Sequence, residues 1–337
     1  MPSLHYDSLL MRREGLTRDL PAGDNEDLRW VTNSSTLIFG DHDAVLVDTF
    51  TTVAQNEALI EWVKEHNRRL THVYLTHGHG DHVYGIGQLL EAFPSARAIG
   101  TSGTFAESQI QAREEYRDGF WGRLFPGQIP VPVLPEIIED DHFELEGHAL
   151  QIVQAGHTDT EGTTFLWVPD ISLVVAGDVV YNETHMYLAE STRESRMEWI
   201  ASLEMVKSLD PIHVVAGHKF PDRADDPATI DDSIQYLKDF IEAERITSTA
   251  LELYESVLRR HPRRANPGSL WGAAKQIKGA PASLPRKLQI EREQPADDSG
   301  ARPRVDWSLL RNWWRSSDFS EHRRKCSNES RRHTSPT

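Results

Sequence analysis

Thr76-His77-Gly78-His79-Gly80-Asp81-His82 is the stretch on which the reading of this chain turns. It packs His77, His79, Asp81 and His82 into one short loop. Before it, Leu70 to Leu75 is rich in β-branched and aromatic residues and predicts a strand. After it, Val83 to Phe93 predicts a helix that Pro94 ends. The ligand-type side chains therefore sit at the carboxyl end of a strand, where layered α/β proteins place their sites. In extended backbone, positions i and i+2 share a side, so His77 and His79 can face one ion. Gly78 and Gly80 permit a reversal that turns Asp81 and His82 toward a second. Histidines in polar loops are often only solvated, but His and carboxylate at this spacing rarely arise from packing needs.

Outward from this loop, the pattern strand–glycine–ligand recurs. Asp178 follows Ala176-Gly177, and His218 follows Ala216-Gly217 at the end of an apolar run from His213. Ala155-Gly156-His157-Thr158-Asp159-Thr160 follows another strand-like run. Upstream, Trp30-Val31, Thr36–Phe39 and Ala44–Asp48 read as three short strands, with Gly40–Asp43 as a hairpin turn. Asp48 is either a cap at a strand end or an orienting carboxylate. Helices are expected from Val53 to Arg68, Ser102 to Asp118, Arg193 to Leu209 and Thr229 to Arg260, each with apolar residues at helical spacing or polar throughout. Gly119 to Pro132, with Phe120, Trp121, Leu124 and Phe125, is either an irregular packed loop or a lid over a pocket.

His77-Gly78-His79-Gly80-Asp81-His82 resembles the signature of the metallo-β-lactamase-fold hydrolases. The resemblance covers about residues 30–280 and implies an α/β fold, a four-layer αββα sandwich with a C-terminal extension. It implies two Zn²⁺ per chain: His77, His79 and His157 on one, Asp81, His82 and His218 on the other, with Asp178 bridging. Asp48 then orients the loop without binding metal. The family often has Pro-Gly after Gly-His-Thr; here Asp159-Thr160-Glu161-Gly162 replaces it. Asp178 is unlike the zinc β-lactamases proper and points to the wider group of lactonases, lactamases and thioesterases.

The function this implies is opening of a small lactam or lactone by hydroxide formed at the metals. Asp81 orients that hydroxide, and Tyr187 or His185, on the segment after Asp178, contacts substrate or supplies a proton. With two carboxylates and a hydroxide, such a site attracts an anionic or strongly polarised oxygen. The alternatives are a thioester hydrolase of glyoxalase II type and a di-iron redox enzyme on the same fold.

Composition sets the remaining expectations. The chain has 337 residues, 38% hydrophobic and 26% charged, with a formal net charge of −16. That balance opposes general nucleic-acid binding. The one cysteine, Cys326, allows no intrachain disulfide and fits a reducing compartment. No apolar run has signal-peptide or membrane-span length. A cytoplasmic protein acting on a small molecule, without nucleic-acid or membrane partners, is expected; the oligomeric state is left open. The catalytic domain is expected over 1–280. Residues 281–337 read as a polar linker and a basic, Trp-containing, partly disordered tail that includes Trp307, Trp313 and Trp314.

Overall fold

The computed structural model describes residues 3–279 apart from Leu16 and Arg18; the expected linker and tail lie outside the described residues. Two sheets form the centre. The first runs β1 (His5–Glu14), β2 (Trp30–Phe39), β3 (Asp43–Val47), β4 (Arg69–Tyr74), β5 (Arg97–Gly100) and β6 (Glu136–Ile137) in that spatial order. β1–β2 and β2–β3 are antiparallel, and from β3 onward the pairs are parallel. The second runs β11 (His213–Lys219), β10 (Leu173–Asn182), β9 (Thr163–Val168), β8 (His148–Gly156) and β7 (His142–Leu145). Only β10–β11 is parallel there.

Strand alternation explains why both faces of each sheet are buried. On β3, Val45 and Val47 point between the sheets, with Tyr74, Ile152, Leu166, Val175 and Val215. Ala44 and Leu46 point the other way, under Leu59 and Val63 of the helix Val53–Glu65 and Leu89 of the helix Ile86–Ala92. On β10, Val174 and Ala176 face the outer layer instead, where Trp199 and Leu203 of Arg193–Ser208, Phe240 of Ala228–Ile246 and Tyr254 of Ala250–Arg260 cover them. The result is the αββα sandwich. Thr32 Oγ1 of β2 donates to the Lys219 carbonyl of β11 at 2.6 Å, and Ser34 Oγ donates to the Ala216 carbonyl at 2.6 Å. The two sheets are thus stitched along one edge by buried hydroxyls.

Several boundaries differ from the sequence reading. The expected strands at 30–31 and 36–39 are one strand, because the polar residues between them pair with β1 through Asn33↔Met11 and Ser35↔Leu9. The helix after the histidine loop begins earlier, at Gly80, and breaks before Ile86. Val53–Glu65 opens on a Thr52–Gln55 capping box and stops before Arg68. The long helix expected to Arg260 is two, because Thr249 starts a fresh capping box with Glu252. Ser102–Gln111 ends before Asp118, and Arg117–Trp121 forms one π-helical turn. Trp121 is buried against Tyr84, with its indole N–H on Gln111 Oε1 at 3.1 Å, while Phe120 is exposed. That stretch is therefore packed beneath its own aromatics on one side and open on the other.

Candidate metal centre

The histidine loop leaves β4 at its carboxyl end and meets Asp178 within β10 and His218 near the carboxyl end of β11, beside the stitched edge. Asp48, at the end of β3, organises it. Its backbone is left-handed, at φ 63°. Its Oδ1 accepts from the Thr76 amide at 2.8 Å, and its Oδ2 accepts from Thr76 Oγ1 at 2.8 Å and faces His82 Nδ1 at 3.1 Å. The orienting alternative thus describes this carboxylate better than a simple cap.

Hydrogen bonds turn the histidine lone pairs inward. His82 Nδ1 faces Asp48, so that nitrogen carries the proton and Nε2 keeps its lone pair. Thr76 Oγ1 already donates to Asp48, so it accepts from His77 Nδ1 at 3.1 Å, which again leaves Nε2 unprotonated. His218 Nδ1 donates to the Thr32 carbonyl. His79 is turned the other way round: Nε2 looks toward Glu190 Oε1 at 3.6 Å, and Nδ1 lies 2.9 Å from Asp159 Oδ2.

Carboxylates meet these lone pairs. Asp178 Oδ1 is 3.2 Å from His82 Nε2, and Oδ2 is 3.1 Å from His218 Nε2. Tyr181 donates to Asp178 Oδ2 at 2.5 Å. Asp81 Oδ2 accepts from Asn33 Nδ2 at 3.0 Å, with Arg13 Nη2 at 3.7 Å and His218 Nε2 at 3.9 Å. Among the described residues three wholly buried donor groups result, His77/His79/Asp159, Asp81/His82/His218 and His77/His82/Asp178, and a fourth, His79/Glu107/Glu190, is partly exposed.

Of the residues expected from sequence, the structure brings together His77, His79, Asp81, His82, Asp178 and His218. It does not bring His157 to them. His157 lies at the rim, with Nε2 3.1 Å from the Glu190 carbonyl oxygen and Nδ1 3.8 Å from Glu161. Gly156, at φ 73°, and the Thr158 amide bonded to the Thr160 carbonyl reverse the chain there, so Asp159 points inward instead. Asp159 Oδ1 accepts from Thr158 Oγ1 at 2.8 Å and Thr163 Oγ1 at 3.4 Å, which leaves Oδ2 to face His77 at 3.4 Å and His79. The signal for this was in the sequence, where Asp159 stands in place of the usual Pro. Nor does His185 reach the centre. Its Nδ1 is 3.0 Å from the Tyr236 hydroxyl, and Arg264 and His261 lie nearby, beneath the helical layer. Tyr187 does reach it: its ring meets His79 edge-on with centroids 5.7 Å apart.

A metal is the natural occupant of this arrangement. His77 Nε2, His82 Nε2, Asp159 Oδ2 and Asp178 Oδ1 are buried and have no aligned hydrogen-bond partner. Imidazole lone pairs and carboxylate oxygens converge over about 3 Å, which repels unless a proton or a cation lies between them. Without a metal, protons fill that role. Burial disfavours charged His79 and His82, but Asp159 and Glu190 around the first, and Asp178 and Asp48 around the second, outweigh it and hold both well above the usual imidazole range. Burial likewise opposes ionised Asp178 and Asp81, and the surrounding histidines overcome it and hold both below the usual carboxylate range. The donor set fits metal ions, and nitrogen with carboxylate oxygen and no thiolate suits Zn, Fe or Mn.

The sequence profile of the Metallo-beta-lactamase superfamily matches residues 28–218. A hydroxyacylglutathione hydrolase of Vibrio cholerae is 25% identical over 206 residues, which are 60% of this chain and 65% of that protein. The chain thus spans just under two thirds of that relative's length. The mitochondrial persulfide dioxygenase ETHE1 of Bos taurus is 32% identical over 198 residues, 53% of this chain and 77% of that protein. Among solved structures, a metallo-beta-lactamase family protein from Thermus thermophilus superposes with a TM-score of 0.55 at 18% identity, covering 85% of this chain and 94% of its own. A metallo-beta-lactamase from Pontibacter korlensis gives 0.53 at 14% identity, covering 70% and 100%. At these identities the structures speak for the fold alone.

Proposed function

The chain belongs to the metallo-beta-lactamase superfamily, and we propose that it is a dinuclear metallohydrolase that cleaves a carbonyl–heteroatom bond in a small lactone, lactam or open-chain ester. The observation that carries this reading is the inward set of unpartnered lone pairs on His77, His82, Asp159 and Asp178. His77, His79 and Asp159 would hold one ion, and Asp81, His82 and His218 the other. Asp178 faces both groups. Bound there, Zn²⁺ ions would supply Lewis acidity and bring the pKa of water from 15.7 toward about 7.

The protein's own residues do the rest. Asp48 and the Thr32 carbonyl fix the imidazole rings by their outer nitrogens. Tyr181 and Asn33 orient the Asp178 and Asp81 carboxylates. Burial and the carboxylates Glu190 and Asp159 push the Tyr187 hydroxyl well above its ordinary range, so it stays protonated. At the edge of His79 it can donate a hydrogen bond to the carbonyl or protonate a leaving group. His185 takes no part, since it lies under the helices. The substrate is a small molecule, and no nucleic-acid or membrane partner enters this reading. Among the described residues no helix is long and apolar enough to cross a membrane.

A second reading has an observation of its own. Asp159 makes each end a two-histidine, one-carboxylate set, a pattern that also serves non-haem iron. The resemblance to a persulfide dioxygenase points the same way, toward sulfur oxidation. One experiment separates the two: elemental analysis of purified protein, followed by a panel of lactones, lactams, esters and thioesters, and oxygen uptake with a persulfide. Zinc with ester or amide cleavage supports hydrolysis. Iron with oxygen uptake overturns it.

A further inference from the structure

Resting on the hydrolase reading, we propose that Arg13 binds a carboxylate of the substrate beside the metal centre, and so selects acyl compounds that carry one within a few bonds of the scissile carbonyl. Arg13 is on β1, upstream of the residues on which the family match rests. Leu9 and Met11 pack into the outer core, and Arg13 is the next residue on that face, where the strand meets the histidine loop. Asn33, which donates to Asp81, stands opposite Met11 on β2. The strand register thus delivers the guanidinium to the Asp81 end of the centre, whereas Glu190 stands at the His79 end.

What marks Arg13 is that its donors are unspent. Its side chain is only 11% exposed, and Nε and Nη1 are buried without a hydrogen-bond partner. Nη2 stands 3.7 Å from Asp81 Oδ2, too far for a hydrogen bond, and that oxygen already accepts from Asn33 Nδ2 at 3.0 Å. The buried arginines elsewhere are committed. Arg196 donates to Glu244 at 2.5 Å and to Ser191 Oγ at 2.9 Å, and Arg264 donates to the Thr184 and Asp232 carbonyls at 2.9 and 3.1 Å. A guanidinium keeps its charge in a protein, and enclosing it without acceptors is costly. Its planar fork matches the two oxygens of a carboxylate. Lys219, next to His218, does not compete for that anion, because Asp225 holds it at 2.5 Å. The Phe125 ring lies over the guanidinium with its centroid 5.7 Å from Cζ. That ring is half-buried and is followed by Gly127 at φ 70°, so an incoming anion reaches the fork by displacing it.

The test uses the metal-loaded protein and two lactones of one shape, 5-oxotetrahydrofuran-2-carboxylate and its carboxamide. The ketones in which a methylene replaces the ring oxygen, 3-oxocyclopentane-1-carboxylate and its carboxamide, cannot be hydrolysed and are titrated by calorimetry. The expected result is at least a tenfold preference for the carboxylate over the carboxamide, in kcat/KM and in ketone affinity, that shrinks as salt rises. Arg13→Gln should bring the ratio near one with both metals retained. Arg13→Lys keeps a point charge without the fork and should hold only part of the preference. Equal binding of the two ketones by wild type overturns the anchor, as does a preference that Arg13→Gln leaves intact. Should Arg13→Gln shed metal and weaken both ketones alike, Arg13 serves only to hold Asp81, and the anchor is overturned too. If Arg13→Gln does not fold, Arg13→Lys decides, and an unchanged ratio there overturns the bidentate contact. Failure of both lactones to turn over counts against the hydrolase reading instead, and the ketone titration still decides the anchor.

Discussion

His157 Nε2 lies 3.1 Å from the Glu190 carbonyl oxygen, on the far side of the turn that sends Asp159 toward His77 and His79. A histidine in the position expected for a ligand is thus a rim residue, and its near neighbour has the ligand geometry. Asp159→Ala should remove one equivalent of metal and most turnover. His157→Ala should keep both metals. Metal analysis of the two variants after dialysis checks this, and metal loss in His157→Ala alone would reverse the assignment.

Asp48 holds His82 and the Thr76 backbone together without reaching the donor groups itself. Asp48→Asn keeps the shape but weakens the hold on the imidazole. We expect metal affinity to fall about 10- to 100-fold, the usual range for an outer partner of a ligand, measured by competition with a chelator.

Tyr187→Phe should lower kcat by about 10²-fold or more if its hydroxyl is the proton donor, with KM changing little. Because burial and nearby carboxylates hold that hydroxyl above its ordinary value, the alkaline limb of the wild-type pH–rate profile should show no tyrosine titration below pH 10. A profile in which the variant loses an alkaline limb present in wild type contradicts this.

His185 is buried with Nε2 unpartnered, and burial, Arg264 and His261 push its pKa well below the ordinary imidazole value. The folded state therefore holds it neutral, while the unfolded chain binds a proton near pH 6.5. Its contribution is fully present above about pH 6.5 and is lost as pH falls toward the depressed folded value. Relative to His185→Gln, wild type should lose stability on going from pH 7 to pH 5. Denaturant melts at both pH values check the difference, and a pH-independent difference contradicts it.

Gly78→Ala puts a methyl against backbone and Cβ atoms of the neighbouring helix at 2.5 Å. Overpacking of this kind costs about 1–3 kcal/mol. The variant should melt lower and bind metal less tightly, whereas a substitution at Gly272, where nothing lies within 4 Å, should not.

Local pattern made much of this legible. The histidine loop is contiguous, so its chemistry shows in the sequence, and Asp178 and His218 stand where strand and glycine patterns end. The layered fold follows from strands apolar on both faces, as β3 and β10 are. What could not be read depends on single backbone angles. Gly156 at φ 73° decides whether His157 or Asp159 faces inward. Glu183, at φ 57°, lies between Asp178 and the segment that sends Tyr187 to the centre and His185 beneath the helices. Glycine at 156 permits its angle without requiring it, and the angle at Glu183 is not visible in residue identity; each changes which neighbour reaches the site.

The stitched edge has a thermodynamic corollary. Donors on β4's loop belong to one sheet, and Asp178 and His218 belong to the other, so an ion gripping both acts as a rivet across the sandwich. A ligand held only by the native form, present at a hundredfold over its dissociation constant, adds about 2.7 kcal/mol to the unfolding free energy. Chelation should therefore lower the melting temperature of the whole domain, and the sheets should part together rather than one after the other.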